Sequence, residues 1–267
     1  CPSTRVAFTY KPRGARVSRS SSRDRESIGM KRIRAGLQVV WASVLLAAAC
    51  APASAATSRI LDCPLRDARF SIDSPLVDLL LSDSAKAVID RHADGATAKI
   101  PPMLAGTRAP TFGAILTFRQ FARSGMVPVG ENLAPLEADL ARLPVTAADR
   151  AARCARYDDE RPRVQLPAGR LRVLLFEKMT GFRDDPSVDA ARAAFEAMAQ
   201  RQGWALVITD KGGAMHASVL RQFDVVIWNN VSGDVLTLAQ RKAFRNYIER
   251  GGGFVGVHGA GGDPAAF

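Results

Sequence analysis

The sequence predicts an α/β fold whose last third forms an open, parallel, flavodoxin-like sheet, preceded by a small all-α region and a signal peptide. Two observations lead to this prediction. From residue 172 onward, four apolar segments (RVLLFE, WALVIT, DVVIW and FVGVH) alternate with segments whose apolar residues recur at helical spacing. Before residue 158 the apolar residues recur at helical spacing, without strand-like alternation. Four strand–helix units fit part of a flavodoxin-like strand order.

Residues 30–55 have the three parts of a secretory signal peptide. A Lys/Arg cluster that begins at Met30 is followed by an apolar stretch and then by the small-residue cleavage site Ala53-Ser54-Ala55. The apolar stretch is shorter than the roughly 20 residues of a membrane span, so no stable membrane span is expected. We expect a periplasmic or secreted protein. The alternatives are a retained or buried helix, or a lipid anchor through Cys50. Residues 1–29, rich in Ser and Arg, are interpreted as non-native upstream sequence.

The formal net charge of +11 lies mainly in this N-terminal part. Ten Lys/Arg and two acidic residues occur before residue 56, so only +3 of the charge belongs to the rest of the chain. A basic surface that binds nucleic acid is therefore not expected.

Four cysteines occur, and two of them, Cys63 and Cys154, lie within the expected mature chain. Export would permit a disulfide between them, and two unpaired thiols are the alternative. The absence of a CxxC pair or a Cys/His cluster from the sequence gives no reason to predict a metal site.

Helix signals fill residues 56–157. Ser74-Pro75 and Asp83 are expected to begin helices, and Thr146-x-x-Asp149 has the form of a capping box before a further helix. Residues 158–171 are charged and contain Pro and Gly, so they are interpreted as a linker between domains.

The α/β domain, residues 172–267, contains its own start and stop signals. Asp185-Pro186 is expected to begin the first helix and Gly203 to end it. Residues 218–222 form a short helical piece, and Thr237-x-x-Gln240 is a capping box for the last helix.

Three loops follow strands of the predicted sheet, namely 178–185, 229–234 and 258–263. The carboxyl ends of parallel strands share one edge of the sheet, where sites of such folds form. In the third loop, His258 follows a buried strand and precedes a glycine-rich turn, the setting of a nucleophile elbow. An imidazole there can act as an acid or base. Glutaminase chemistry is not expected, because residues 172–267 contain no Cys.

The segments FEKMTGFR (176–183), NVSGDVL (230–236) and GGGFVGVH (251–258) resemble the ThuA-like, trehalose-utilisation family. This resemblance spans about residues 172–267. It implies a class I glutamine amidotransferase-like fold and a bacterial protein associated with sugar use, often exported and joined to carbohydrate-active modules.

The resemblance also implies a set of site residues. His258 matches the elbow His and is the candidate catalytic acid or base, whereas Asp184 stands where the family usually has a second His. The candidates for binding substrate are Arg183, Asp184, Asn230, Asp234 and Asp263. Structural roles are the alternatives: Arg183 paired with a neighbouring Asp, Asp234 as a helix cap, and His258 as a buried, hydrogen-bonded histidine.

The chain stops at Phe267, shortly after the fourth predicted strand, and we interpret the domain as truncated. The expected function is an exported ThuA-like protein that acts on or recognises a small sugar, a disaccharide or derivative, without amidotransferase activity. The alternatives are a non-catalytic sugar-binding or interaction module, and a truncated fragment without function. The cofactor and the oligomeric state are unknown at this stage.

Overall fold

Four parallel strands form the sheet predicted for the last third of the chain. They are β1 (Leu171–Phe176), β2 (Trp204–Thr209), β3 (Val225–Asn229) and β4 (Gly253–Val257). Their order in the sheet is β2-β1-β3-β4, and all neighbours are parallel. The α/β class and the flavodoxin-like order are thereby confirmed for these four strands.

The computed structural model describes residues 60–126, 129–130 and 132–260. The predicted signal peptide, Cys50 and Asp263 lie outside these residues. All the described residues belong to one unit, Ala56–Phe267. The division into a helical domain, a linker and an α/β domain stays a prediction.

Among the described residues, three α-helices accompany the sheet: α7 (Asp185–Gln202), α8 (Ala217–Leu220) and α9 (Leu238–Glu249). The expected signals at the ends of α7 and α9 are confirmed. Gly203 ends α7 in a left-handed conformation with φ +67°, and Thr237 and Gln240 form the capping box of α9. Local sequence signals therefore place both helices.

Side chains of β1 alternate between the two faces of the sheet. Val173 and Leu175 pack on one face with Phe195 of α7. Leu174 and Phe176 pack on the other face with side chains of α8 and α9. Strand β1 is thus covered on both sides, as its continuous apolar sequence indicates.

In the part of the chain that the structure describes, six α-helices precede the sheet, as the helical periodicity predicts. They are α1 (Leu76–Leu80), α2 (Asp83–His92), α3 (Pro102–Ala105), α4 (Phe118–Arg123), α5 (Ala134–Arg142) and α6 (Ala147–Cys154). Phe70, Phe118 and Phe121 are fully buried in their shared core. The capping box at Thr146 is confirmed. The expected cap at Asp83 is wrong, because the side chain of Ser82 accepts the hydrogen bond from Ala85 N instead.

A disulfide joins Cys63 to Cys154, with Cα atoms 5.6 Å apart. It connects the segment before α1 to the end of α6 and lies in a small apolar cluster with Tyr157. Of the two arrangements left open by the sequence, the structure therefore shows the bonded one.

The segment predicted as a linker begins in contact with the α/β part. Asp158 Oδ1 accepts a hydrogen bond from Gly212 N at 2.8 Å, and its other carboxylate oxygen is paired with Lys178. Glycine is also required at position 213, because a Cβ on Gly213 would lie 2.4 Å from the carbonyl oxygen of Glu160.

Candidate functional site

The polar side chains at the carboxyl edge of the sheet come from three neighbouring strands. Glu177 follows β1, Asn229 ends β3 and Asn230 follows it, and His258 follows β4. The pairing of Phe176 with Trp228 and of Asn229 with Val257 brings these strand ends side by side. The predicted convergence of the loops after β1, β3 and β4 is therefore observed in the described residues.

His258 occupies the first position after β4, as an elbow residue should. Its φ angle is +54°, a left-handed conformation that is uncommon for a residue with a side chain. The imidazole is exposed, and its Nδ1 atom lies 2.7 Å from Oδ1 of Asn230. Asn230 also has a positive φ, +54°. Left-handed residues at adjacent strand ends are typical of positions that are held for function.

A chain of polar contacts continues from Asn230 into the protein. Asn230 Nδ2 lies 2.8 Å from Asn229 Oδ1, and Asn229 Nδ2 lies 2.8 Å from Glu177 Oε1. Glu177 is 3% exposed and forms a salt bridge with Arg192 of α7. The Glu177 carboxylate raises the pKa of the Arg192 guanidinium above its ordinary value. His258 is thus connected through two amides to the ion pair of buried Glu177 with partly exposed Arg192.

The loop after β1 contains two of the predicted binding residues, and both have partners within the loop or in α7. Arg183 Nε pairs with Asp185, and a guanidinium nitrogen contacts the sulfur of Met179 at 3.6 Å. The Asp184 carboxylate accepts a hydrogen bond from Ser187 Oγ at 2.6 Å. The proposed pairing of Arg183 with a neighbouring carboxylate is the arrangement that the structure has.

The loops after β1 and β3 are held together by main-chain contacts. Thr180 N and Gly181 N both donate to the carbonyl oxygen of Ser232, at 2.9 Å and 3.0 Å. Gly233 has a φ of +75°, and a Cβ there would lie 2.4 Å from Gly181 N. Glycine at these positions therefore permits the close approach of the two loops.

Asp234 is placed differently from the other candidates. It is 5% exposed, and its carboxylate lies 2.6 Å from a guanidinium nitrogen of Arg241 in α9. Burial raises the pKa of the Tyr157 phenol, and the adjacent Asp234 carboxylate raises it further. The expected alternative, a cap of α9, is not what Asp234 does, because Thr237 is the cap. Its burial leaves little of the carboxylate accessible to a ligand.

A cleft of about 390 Å³ opens beside this edge. Its lining includes Glu177, Arg183, Arg192 and Asp210. Within residues 60–126, 129–130 and 132–260, no three His, Cys, Asp or Glu side chains are grouped so that they could hold a metal ion. Across the same ranges, no helix combines the length and apolar character required to cross a membrane.

Sequence reasoning missed Glu177, Asn229 and Arg192. In the sequence, Glu177 is the last residue of the apolar strand segment RVLLFE, and Asn229 directly precedes the candidate Asn230. A charged residue at the carboxyl end of a buried strand is the signal that could have drawn attention to Glu177.

Comparisons with known proteins address the α/β part of the chain. Residues 172–266 match the model of the ThuA family, described as trehalose utilisation. A crystal structure of a ThuA-like protein from Bacteroides uniformis is 28% identical in sequence, over 38% of this chain and 41% of that one. The TM-score is 0.30, so that structure adds nothing to the fold assignment. The chain thus spans less than half of that relative. A comparison with curated protein sequences gives no match.

The matched segment contains the three motifs FEKMTGFR, NVSGDVL and GGGFVGVH, together with β1 to β4 and His258. By its motifs and by the family match, the α/β part of this chain, residues 172–266, belongs to the ThuA-like family.

Proposed function

We propose that this chain is an exported protein that acts on or recognises a small sugar, a disaccharide or a derivative, at the carboxyl edge of its sheet. His258 would serve as the acid or base, and the loops after β1 and β3 would form the walls around the sugar. The observation that carries this proposal is the placement of His258 at a left-handed elbow with Nδ1 fixed by Asn230. The family description supports a sugar as the ligand.

Amidotransferase activity is not part of the proposed function. Acyl transfer from glutamine uses a thiolate at the elbow, whereas His258 occupies that position here and residues 172–267 contain no Cys. The protein should therefore release no ammonia from glutamine.

Export is supported by the disulfide between Cys63 and Cys154. Structural disulfides persist in oxidising compartments and are rare in the cytosol of mesophiles. A periplasmic or secreted location agrees with the signal-peptide pattern of residues 30–55, and a lipid anchor through Cys50 is the alternative.

The test compares His258→Ala with His92→Ala, which removes an imidazole that contacts Asp139 in the helical region. Trehalose and other disaccharides are incubated with each variant, and the remaining sugar is measured by chromatography. Loss of an acid or base lowers turnover about 10²–10⁴-fold, so we expect this for His258→Ala alone. Unchanged turnover in His258→Ala would remove His258 from the mechanism.

Calorimetric titration with the same sugars separates an enzyme from a binding module. Saturable binding without sugar consumption would identify recognition without catalysis, and weaker binding by His258→Ala would then place the sugar at this edge. A protein that neither binds nor consumes any sugar tested would contradict the proposed function.

A further inference from the structure

The amide of Asn229 has its orientation fixed by two acceptors. Its Nδ2 atom lies 2.8 Å from Glu177 Oε1 and 3.0 Å from the carbonyl oxygen of Val188. Since an amide nitrogen has two hydrogens, both are donated to these oxygens. The reversed orientation would place Oδ1 against two acceptors. The Oδ1 atom of Asn229 is consequently an acceptor for whatever lies beside it.

Asn230 lies beside the Oδ1 atom of Asn229, and this contact fixes the orientation of the Asn230 amide. Its Nδ2 atom donates to Asn229 Oδ1 at 2.8 Å, so its Oδ1 atom faces His258 Nδ1 at 2.7 Å. An amide oxygen only accepts hydrogen bonds, and Nδ1 of His258 must therefore carry the hydrogen. In a neutral imidazole this leaves the lone pair on Nε2.

This series of hydrogen bonds ends at the ion pair of Glu177 and Arg192. Arg192 Nε donates to Glu177 Oε2 at 2.9 Å, and a second guanidinium nitrogen contacts the same oxygen. An ionised carboxylate accepts at both oxygens, so Glu177 can receive Arg192 on one side and Asn229 on the other. At 3% exposure, the carboxylate requires these partners.

We propose that Glu177 and Arg192 are positioning residues, which hold neutral His258 in the Nδ1–H tautomer through the side-chain amides of Asn229 and Asn230. The tautomer follows from the hydrogen bonds alone, and only its use in catalysis rests on the proposed function. Every hydrogen bond in the series has one direction, from His258 N–H to the carboxylate, and the carboxylate sets that direction together with the carbonyl oxygen of Val188. Nε2 is then the nitrogen offered to a ligand.

Glu177→Gln tests the direction of the chain with almost no change in shape. Arg192 still requires an acceptor, so the introduced glutamine side chain turns its oxygen to Arg192 and its NH2 group to Asn229. The carbonyl oxygen of Val188 still favours the original orientation of Asn229, so reversal of the asparagine amides is expected in a fraction of the molecules. In that fraction, Asn230 presents Nδ2 to His258. Nδ1 must become the acceptor, and the ring changes to the Nε2–H tautomer.

The measurement is the tautomer of His258 in the full chain, without sugar, from long-range proton–nitrogen correlation spectra of the ring. We expect Nδ1–H in the wild type and a shift of the population to Nε2–H in Glu177→Gln. The matched control is Glu196→Gln, which removes the same charge from α7 near Arg192, outside the chain of amides. It should leave the tautomer unchanged.

The wild-type tautomer keeps the test valid if Glu177→Gln unfolds, and Asn230→Asp serves as the rescue variant. A carboxylate next to Nδ1 imposes the Nδ1–H form without help from Glu177, so Asn230→Asp should keep that tautomer, and the double variant should restore it. A wild-type ring in the Nε2–H form would overturn the proposal, as would an unchanged tautomer in folded Glu177→Gln. The Nδ1–H form together with full turnover in His258→Ala would leave the positioning intact and reject the proposed function.

Discussion

Removal of the disulfide between Cys63 and Cys154 should be the largest single loss of stability in this protein. The two residues are separated by 91 positions, and the closed loop contains all six helices of the helical region. In the chain-entropy description, a loop of this length restricts the unfolded chain by about 4.6 kcal/mol at 25 °C. Replacement by Ala is preferred to Ser, because both sites are at most 4% exposed and a buried hydroxyl would add its own cost.

The assay is urea and thermal unfolding of the Cys63→Ala/Cys154→Ala double variant, followed by circular dichroism. For a folded unit of about 200 residues, a loss of about 4.6 kcal/mol corresponds to a decrease in Tm of about 9–18 °C. The control is the wild type with a reducing agent, which should fall to the value of the variant, whereas the variant should not respond. A loss below about 1 kcal/mol would refute the loop-entropy reasoning.

Two further predictions concern single positions. Gly233→Ala places a Cβ 2.4 Å from Gly181 N, whereas Gly203→Ala changes an equally left-handed site that has no atom within 4 Å. Gly233→Ala should therefore lower the free energy of unfolding by about 1–3 kcal/mol more than Gly203→Ala. Urea unfolding of both variants measures the difference, and equal losses of stability would exclude a steric role for Gly233. Hydrogen bonds from Arg172 lower the pKa of Asp224 to about 2, below its ordinary value of 3.8, so its stabilising contribution is complete above about pH 4 and is lost as the pH falls toward 2. Asp224→Asn should lower the free energy of unfolding by less than about 1 kcal/mol at pH 7, because the Arg172–Asp224 pair is partly exposed. The variant should also lose less stability than the wild type between pH 4 and 2. An identical loss in both proteins would contradict this assignment.

The helices and strands could be predicted because their signals are local. Thr237 with Gln240 and Thr146 with Asp149 each satisfy main-chain donors within one turn, and Gly203 accepts a left-handed φ that costs other residues energy. At the start of α2 the sequence offers two polar neighbours, Ser82 and Asp83, and either could cap a helix. The backbone conformation of Ser82, which is extended, decides between them, and composition does not reveal it.

The sequence predicts which strand ends form the candidate site, but it does not predict which side chains contact each other there. Parallel topology predicts that the loops after β1, β3 and β4 share one edge, but it does not give the register between strands. The pairing of Phe176 with Trp228 places Glu177 beside Asn229, 52 positions later in the chain. One residue of slip would turn either side chain to the opposite face of the sheet. The chain of amides therefore had to be seen in the structure.

The partners of the acidic residues narrow the chemistry that this edge can perform. In the described loops after β1 and β3, each acidic side chain is engaged: Glu177 with Arg192, Asp184 with Ser187, Asp185 with Arg183 and Asp234 with Arg241. Glycoside hydrolysis requires one carboxylic acid and one carboxylate on either side of the scissile bond. The two buried carboxylates, Glu177 and Asp234, are each paired with an arginine and are poorly suited to either role. His258 instead presents an exposed imidazole whose Nδ1 atom lies 2.7 Å from Oδ1 of Asn230. The arrangement therefore favours a reaction, or a mode of recognition, that depends on proton exchange at one imidazole over hydrolysis by a pair of carboxyl groups.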